Sequence, residues 1–261
     1  RRAYGQALDH FLGWYRETPR GPLRRALVQE YRAHLETLGL ASSTINVRLA
    51  AIRKLASEAA ENGLLDRELA SGIVKVKGAK RHGVRAGNWL TREQAKLLLQ
   101  VPDRSTLKGK RDHAVLALLI GCGLRRTELA QLTLEVLQQR EGRWVLIDLE
   151  GKGRRVRSVP VPAWVKAAIE EWIAAAGISS GRLLRATNKG GAVWGEGVDE
   201  RAVWTIVGAN AGGLLDAGKL GPHDLRRTCA KLCRGAGGEL EQIQLLLGHA
   251  SIQTTERYLG T

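Results

Sequence analysis

The chain has 261 residues, with 41 Lys and Arg against 26 Asp and Glu, giving a formal charge of +15 and a pI near 10.3. At 44% hydrophobic it can bury a real core, and at ~100–200 residues per domain its length suits one large or two modest domains. The longest apolar stretch, around 114–122, falls far short of the ~20 residues that span a bilayer, and no secretory signal opens the chain. Three cysteines, Cys122, Cys229 and Cys233, are too few for a disulfide framework, which favours a reducing cytosol. Such a cationic surplus draws a long polyanion, because each phosphate contact releases counterions. A basic membrane-surface protein fits the charge equally well. Methionine is absent, so Arg1 is not a translational start and the chain is read as a fragment trimmed at one end or both.

The first part reads as helices only. Pro22 suits a first helical position, and Leu23, Leu27, Tyr31, Leu35 and Leu38 recur at helical spacing until Gly39. Ser42 or Ser43 can cap the next helix, whose stripe is Ile45, Leu49, Ile52, Ala56 and Ala59, closed by Gly63. Arg48, Arg53 and Lys54 fall off that stripe, as a solvated face would, or a phosphate-binding one. Between 75 and 85, Lys75, Lys77, Lys80, Arg81 and Arg85 alternate with glycines and no acid, which predicts an extended basic linker. Up to Gly87 there are 16 basic and 8 acidic residues, and beyond it 25 and 18, so both parts are cationic. That suits a grip on a duplex from two sides better than a basic tail.

Thr91 with Gln94 makes a capping-box start for a helix through Leu97 and Leu99. Another helix is expected over roughly 111–120 and a further one from near Leu124. The period then switches to β: 144–149 and 156–159 flank Glu150-Gly151-Lys152-Gly153 and predict a hairpin. Helix resumes at 163–176, the glycines between 190 and 197 predict an irregular stretch, and the end is helical again. Ile243, Leu246 and Leu247 form a short stripe closed by Gly248, and Ser251 can cap a last helix carrying Tyr258.

Four segments hold polar residues that a purely structural helix would not need. In Gly-Leu-Arg125-Arg126-Thr-Glu128-Leu, an arginine follows a glycine break at a helix start, where helix N-terminus and guanidinium both favour phosphate. An Arg125–Glu128 surface pair at i,i+3 is the plainer alternative. Lys152 sits between two glycines of the hairpin turn with Arg154, Arg155 and Arg157 just beyond, and this is no P-loop. In His223-Asp-Leu-Arg226, a proton-transfer group and a bidentate donor share one helical face after Gly-Pro. A zinc site from His223 or His249 with Cys229 and Cys233 is disfavoured by spacing; buried, inert cysteines are the expectation. Finally, Leu-Leu-Gly-His249 precedes Tyr258 by nine positions. A free tyrosine, with a pKa of ~10, needs help to attack anything.

GLRRTEL, GKG in a hairpin, HDLRRT, and LLGH with tyrosine nine residues on resemble, in order and spacing, the motifs of the tyrosine recombinase (phage integrase) family in its short Xer-like form. The segment Leu40-Ala-Ser-Ser-Thr44 followed by Arg48-Leu49 and Ile52-Arg53 is similar to the family's core-binding helices, so the resemblance covers nearly the whole chain. It implies a mainly α fold with a small β-hairpin sheet in two domains. These are a helical, SAM-like core-binding domain (1–74), a basic linker (75–87) and a mixed α/β catalytic domain (88–261). It further implies that Arg125 and Arg226 are the catalytic arginines, Lys152 the hairpin lysine, His223 and His249 the two histidines, and Tyr258 the nucleophile. Glu128 would position its neighbours. Arg227 stands where many relatives have histidine. DNA contacts are expected from Arg48, Arg53, Lys54, Lys75, Lys77, Lys80, Arg81, Arg126, Arg154, Arg155 and Arg227.

The physical logic agrees. In-line attack on a phosphodiester builds charge on the non-bridging oxygens, which two guanidinium forks and an imidazole can neutralise. No metal, ATP or other cofactor is expected, since a phosphotyrosyl link conserves the bond energy for rejoining. The implied activity is site-specific recombination of double-stranded DNA through a 3′-phosphotyrosyl intermediate. It would run in a homotetramer on synapsed sites, in the cytoplasm at the nucleoid, with a partner recombinase or DNA-bending protein as further candidates. Relatives usually carry a segment past the tyrosine that docks on a neighbour; only three residues follow Tyr258 here, so weak association without DNA is expected. The alternatives are a type IB topoisomerase-like relaxation activity and a catalytically silent, sequence-specific DNA-binding protein. Single-strand binding is disfavoured by an aromatic content of 5%.

Overall fold

The computed structural model describes residues 2–80, 88–151, 155–188, 190–212 and 220–260, in two compact units, Arg1–Arg85 and Ala86–Thr261. The first unit consists of α1 (Arg2–Glu17), α2 (Arg25–Thr37), α3 (Ser42–Glu61) and α4 (Arg67–Val74). Its core joins Phe11 and Trp14 of α1 to Tyr31 and Leu35 of α2, Leu49 and Ile52 of α3, and Ile73 of α4. Tyr31 meets the Phe11 ring edge-on at 5.0 Å between centroids, the geometry that aromatic quadrupoles favour.

Two sequence expectations shift in this unit. Helix α2 starts at Arg25 rather than at Pro22, because Leu23 packs against the core from outside the helix and Arg24 is extended. Neither Ser42 nor Ser43 caps α3; the N-cap is Ala41, and the Ser42 hydroxyl instead donates to the Lys80 carbonyl at 2.9 Å.

That bond is one of several that tie residues 75–80 to the helices. Val76 and Ala79 are buried. Asn46 grips Ala79 at both ends of its peptide, accepting from its N–H at 2.8 Å and donating to its carbonyl at 3.1 Å. Arg53 donates to the Val76 carbonyl and Arg32 to that of Lys77. The first residues of the expected linker therefore run as irregular chain packed on α2 and α3.

In the second unit α5 (Arg92–Gln100) opens with the expected capping box, Thr91 and Gln94 bonding reciprocally. Helix α6 (Leu107–Cys122) is longer than its expected span; its second half, apolar on every face, is buried on nearly every side. It packs against α5, α7 (Arg126–Gln131), α8 (Ala163–Ala176), α9 (Glu200–Ala211) and α10 (Pro222–Gly235). The expected hairpin is present as β2 (Arg143–Glu150) and β3 (Val156–Pro160), and β1 (Leu137–Arg140) extends it to an antiparallel sheet of order β1-β2-β3. A short pair, β4 (Ala186–Thr187) and β5 (Val193–Trp194), orders part of the glycine-rich stretch. The chain closes with α11 (Leu240–Leu247) and α12 (Ile252–Leu259).

The β2–β3 ladder contains a bulge. Leu146 pairs with Val159 but Leu149 with Arg157, so β2 spends one extra residue, and Asp148 takes the left-handed conformation, φ 51°. Leu146 and Leu149 are an odd number apart, yet both are buried. In a regular strand they would face opposite sides; the bulge re-aims the end of the hairpin. No helix among the described residues is long and apolar enough to cross a membrane.

Candidate active site

Three of the four sequence motifs contribute to a cleft of about 530 Å³ in the second unit, lined among others by Arg125, His223, Arg226 and His249. Gly123, at φ 58°, ends α6, buried Leu124 anchors the turn, and Arg125 precedes the first turn of α7. Glu128, one turn on, accepts from the Arg125 backbone N–H at 2.8 Å and from its Nη1 at 2.7 Å. The pair foreseen at the surface is therefore half interior: Glu128 is only 7% exposed. Arg125 also donates through Nη2 to the Gly248 carbonyl at 2.9 Å, joining the first motif to the last.

Arg226 is 2% exposed. It donates to the carbonyls of Gly123 and Leu247, and its Nη1 lies 4.0 Å from the Glu128 carboxylate. Burial, with Arg125 nearby, brings its pKa down to about 10, so it stays cationic at neutral pH. Burial alone would raise Glu128, but hydrogen bonds from Arg157 and Arg125 outweigh it and hold the carboxyl at about 2. A single buried carboxylate thus keeps three guanidinium groups together, as burial of like charges requires.

Pro222 and His223 open α10, with Asp224 accepting from the Gly221 N–H at 2.9 Å. Tyr258, on α12, lies edge-on to both histidines, 5.1 Å from each ring centroid. Its hydroxyl donates to the His223 carbonyl at 3.1 Å and is 3.5 Å from His223 Nδ1. Burial raises Tyr258 to about 12, against the partial offset of Arg226 and Arg227. Burial, reinforced by Arg226 and Arg125, lowers His249 to about 4, and its Nδ1 is 3.1 Å from the Thr255 hydroxyl. His223 is lowered as well, by burial and then by Arg227. Both imidazoles are neutral at pH 7, and the tyrosine is protonated and docked on the His223 backbone.

Of the other expected site residues, Arg126 is exposed and pairs with Glu200 at 2.7 Å. Arg227 donates to the Tyr258 carbonyl at 3.1 Å, with its guanidinium 4.8 Å from the tyrosine ring centroid. Arg155 is exposed beyond the hairpin turn, while Lys152, Arg154 and Arg81 lie outside the described residues. In the first unit Arg48 donates to His10 Nε2 at 3.0 Å, which leaves His10 Nδ1 to bond the Tyr31 hydroxyl at 2.8 Å. Lys54 pairs with Glu58, and Lys75, Lys77 and Lys80 are exposed. Cys122 and Cys229 are buried as expected, whereas Cys233 is only partly so. Among the described residues no group of three or more His, Cys, Asp or Glu could hold a metal ion.

Two residues at the site were given no role by the motif reading. Trp204 of α9, 45% exposed, lines the cleft beside Gly221; nothing in the sequence separates it from a core tryptophan. Arg157 could have been found, because strand alternation puts it on the same face as buried Val159.

The chain matches two sequence profiles: the phage integrase family over residues 88–261, and the phage integrase N-terminal SAM-like domain over 1–63. It is 30% identical over 267 residues to the tyrosine recombinase XerC of Thermodesulfovibrio yellowstonii, covering 98% of this chain and 84% of that protein. It is 29% identical over 272 residues to a tyrosine recombinase of Synechococcus elongatus, covering 99% and 83% respectively. Among solved structures, the XerH site-specific recombinase bound to its difH substrate in a pre-cleavage complex superposes with a TM-score of 0.74 at 20% identity. That match covers 98% of this chain and 74% of the other.

Proposed function

Because the chain belongs to the phage integrase family of tyrosine recombinases, we propose that Tyr258 is its nucleophile and that Arg125, Lys152, His223, Arg226 and His249 complete the catalytic set. The substrate is a double-stranded DNA recombination site. The phenolic oxygen of Tyr258 forms a bond to phosphorus as the bond to the 5′-oxygen breaks, leaving a 3′-phosphotyrosyl link. The phenolic proton passes to His223, which is neutral and near the hydroxyl. The departing 5′-oxygen takes a proton from Lys152, at the tip of the hairpin in the sequence. Arg125 and Arg226 neutralise charge developing on the non-bridging oxygens, with His249 beside them. Attack requires the hydroxyl to leave the His223 carbonyl and face the cleft.

The observation that carries this reading is the convergence of two guanidinium groups and two neutral imidazoles around one tyrosine and one cleft. The two guanidinium groups supply positive charge where the reaction needs it, and the neutral imidazoles can take up or share a proton, which supports strand transfer without metal or ATP. Exchange between two duplexes cuts four strands, each by one tyrosine, so the acting unit is a homotetramer on synapsed DNA.

Covalent trapping tests the proposal. The protein is incubated in EDTA with a pool of nicked duplexes of random sequence, in which cleavage releases a short fragment and strands the enzyme on DNA. Denaturing gels are expected to show a protein–DNA adduct that Tyr258→Phe abolishes while duplex binding persists. Binding without an adduct would favour a silent DNA-binding protein. Relaxation of any supercoiled plasmid regardless of sequence would favour the topoisomerase-like reading.

A further inference from the structure

Arg157 lies between three parts of the site. Its Nη1 and Nη2 donate to the two oxygens of Glu128, both at 2.8 Å, and its Nε donates to the Leu246 carbonyl at 2.9 Å. The guanidinium thus satisfies both carboxylate oxygens and the C-terminal end of α11 at once, the fork geometry that lysine cannot reproduce. Two motif glycines pack on the same side chain. A Cβ on Gly248, whose φ is 60°, would lie 3.0 Å from Arg157 Cδ and 3.3 Å from its Nε. A Cβ on Gly151, the residue before Lys152, would lie 3.0 Å from Arg125 Nη1 and 3.5 Å from Arg157 Nη1. The glycine that opens the lysine turn and the glycine before His249 are both small where this arginine passes. The β2 bulge sets Arg157 opposite Leu149 on the ladder, at the end of the hairpin nearest the turn.

We infer that Arg157 is a positioning residue for strand cleavage: through Glu128 it fixes Arg125, and through Leu246 and Gly248 it fixes the turn that carries His249. The inference rests on the assignment of Arg125 and His249 to the cleavage site. Arg157 itself is not among the residues lining the cleft, so its effect passes through those neighbours.

The experiment compares single-turnover trapping by the parent, Arg157→Lys, Arg157→Gln, Glu128→Gln and the double variant, on the nicked duplex that the parent selects from the random pool. A misplacement of about 1 Å at a reacting group costs about 100-fold. Arg157→Gln is therefore expected to slow cleavage at saturating DNA by about that factor, with the half-saturating DNA concentration unchanged. Arg157→Lys should recover only part of the rate. Adding Arg157→Gln to Glu128→Gln should cost clearly less than the product of the two single losses, because the route through the carboxylate is already gone and only the Leu246 contact remains to be lost. If Arg157→Gln does not fold, Arg157→Lys, which keeps the buried charge, carries the comparison.

A merely structural role predicts a lower melting temperature with the parental rate at saturating DNA. That result, or losses that multiply in the double variant, would overturn the inference. Absence of an adduct from the parent would instead remove the functional reading, and this inference with it.

Discussion

The two units carry nearly the same surplus of positive charge, 16 basic against 8 acidic residues up to Gly87 and 25 against 18 beyond it, and arrange it differently. Among the described residues of the first unit the cations are dispersed: Arg48 has His10, Arg53 the Val76 carbonyl, Lys54 has Glu58, and Lys75, Lys77 and Lys80 reach solvent. In the second unit Arg125, Arg157 and Arg226 gather round one carboxylate, Glu128. Dispersed, solvated charge can hold a polyanion anywhere along it and is weakened by salt. Gathered and buried charge must be compensated inside the protein, and so fixes groups at defined points. Net charge, identical in sign, cannot tell a surface that binds from a site that reacts; burial of the counter-ion can.

Removing that counter-ion breaks the contrast most severely. Glu128→Ala leaves three guanidinium groups with no carboxylate among them, and loss of one partner from a buried pair costs about 3–5 kcal/mol. Urea unfolding of parent and variant should show a loss of that size together with loss of the covalent adduct. A loss below ~1 kcal/mol would mean that the cluster behaves like a set of surface pairs. The parent should show the same dependence through pH. The folded Glu128 carboxyl is held at about 2, below its ordinary 4.5, so its stabilisation is complete above pH 4.5 and is lost as pH falls towards 2. The shift corresponds to about 3 kcal/mol.

His249 sharpens the comparison in a second pH window. Its folded pKa of about 4 lies below the ordinary 6.5, so the unfolded chain takes up the proton first. Stability from this group is present above pH 6.5 and falls as pH drops towards 4. His249→Gln should reduce the slope of unfolding free energy against pH in that window by up to about 1.4 kcal/mol per pH unit. His10, His113 and His223 are also lowered, so a shallower slope remains. An unaltered slope in the variant would show that His249 is solvated and free to titrate, like a histidine of an open surface.

Much of this was legible in the sequence because it is local. The Thr91–Gln94 box, the helix 163–176, the hairpin, and the glycines that end α6 and α11 all follow from spacing within a few residues. Of the residues the motifs singled out, Arg125, His223, Arg226 and His249 line one cleft, while Lys152 lies outside the described residues. What stayed hidden depends on contacts far apart in sequence. Residues 75–80 read as a linker by charge and glycine content, but Asn46, 33 positions away, holds Ala79 in place. Ser42 looks like a cap until Lys80 supplies an acceptor. For Arg157, strand alternation gives the inward face, but its partner Glu128, 29 positions away, has no local signal. Trp204 has no local signal, since α9 is itself set by packing on α6 and α7.

The Asn46 clamp offers an intermediate effect in the first unit. Asn46→Ala leaves the Ala79 N–H and carbonyl without these partners, and buried groups left unsatisfied cost about 1–3 kcal/mol. Hydrogen exchange should find faster exchange of the Ala79 amide and little change at amides of the second unit. Equal acceleration in both units would show that the clamp supports global stability rather than the local course of the basic segment.

The smallest effect on folding is expected where charge is most solvated, and there the effect on binding can be read by itself. The Lys77 side chain is exposed, while its carbonyl accepts from Arg32 at 3.0 Å. Lys77→Ala removes the charge and leaves the backbone acceptor, so the melting temperature should not move. If the ammonium touches a phosphate, the slope of log affinity against log salt on a random-sequence duplex should become shallower by about one. Weakening should also be uniform across sequences, because phosphate contacts carry no base information. An unchanged slope would remove Lys77 from the DNA contacts and restrict the dispersed grip to the remaining cations of the segment. A shallower slope with unchanged melting would separate the two designs in one variant: charge that binds without holding the fold, as against Glu128, whose loss costs stability and cleavage together.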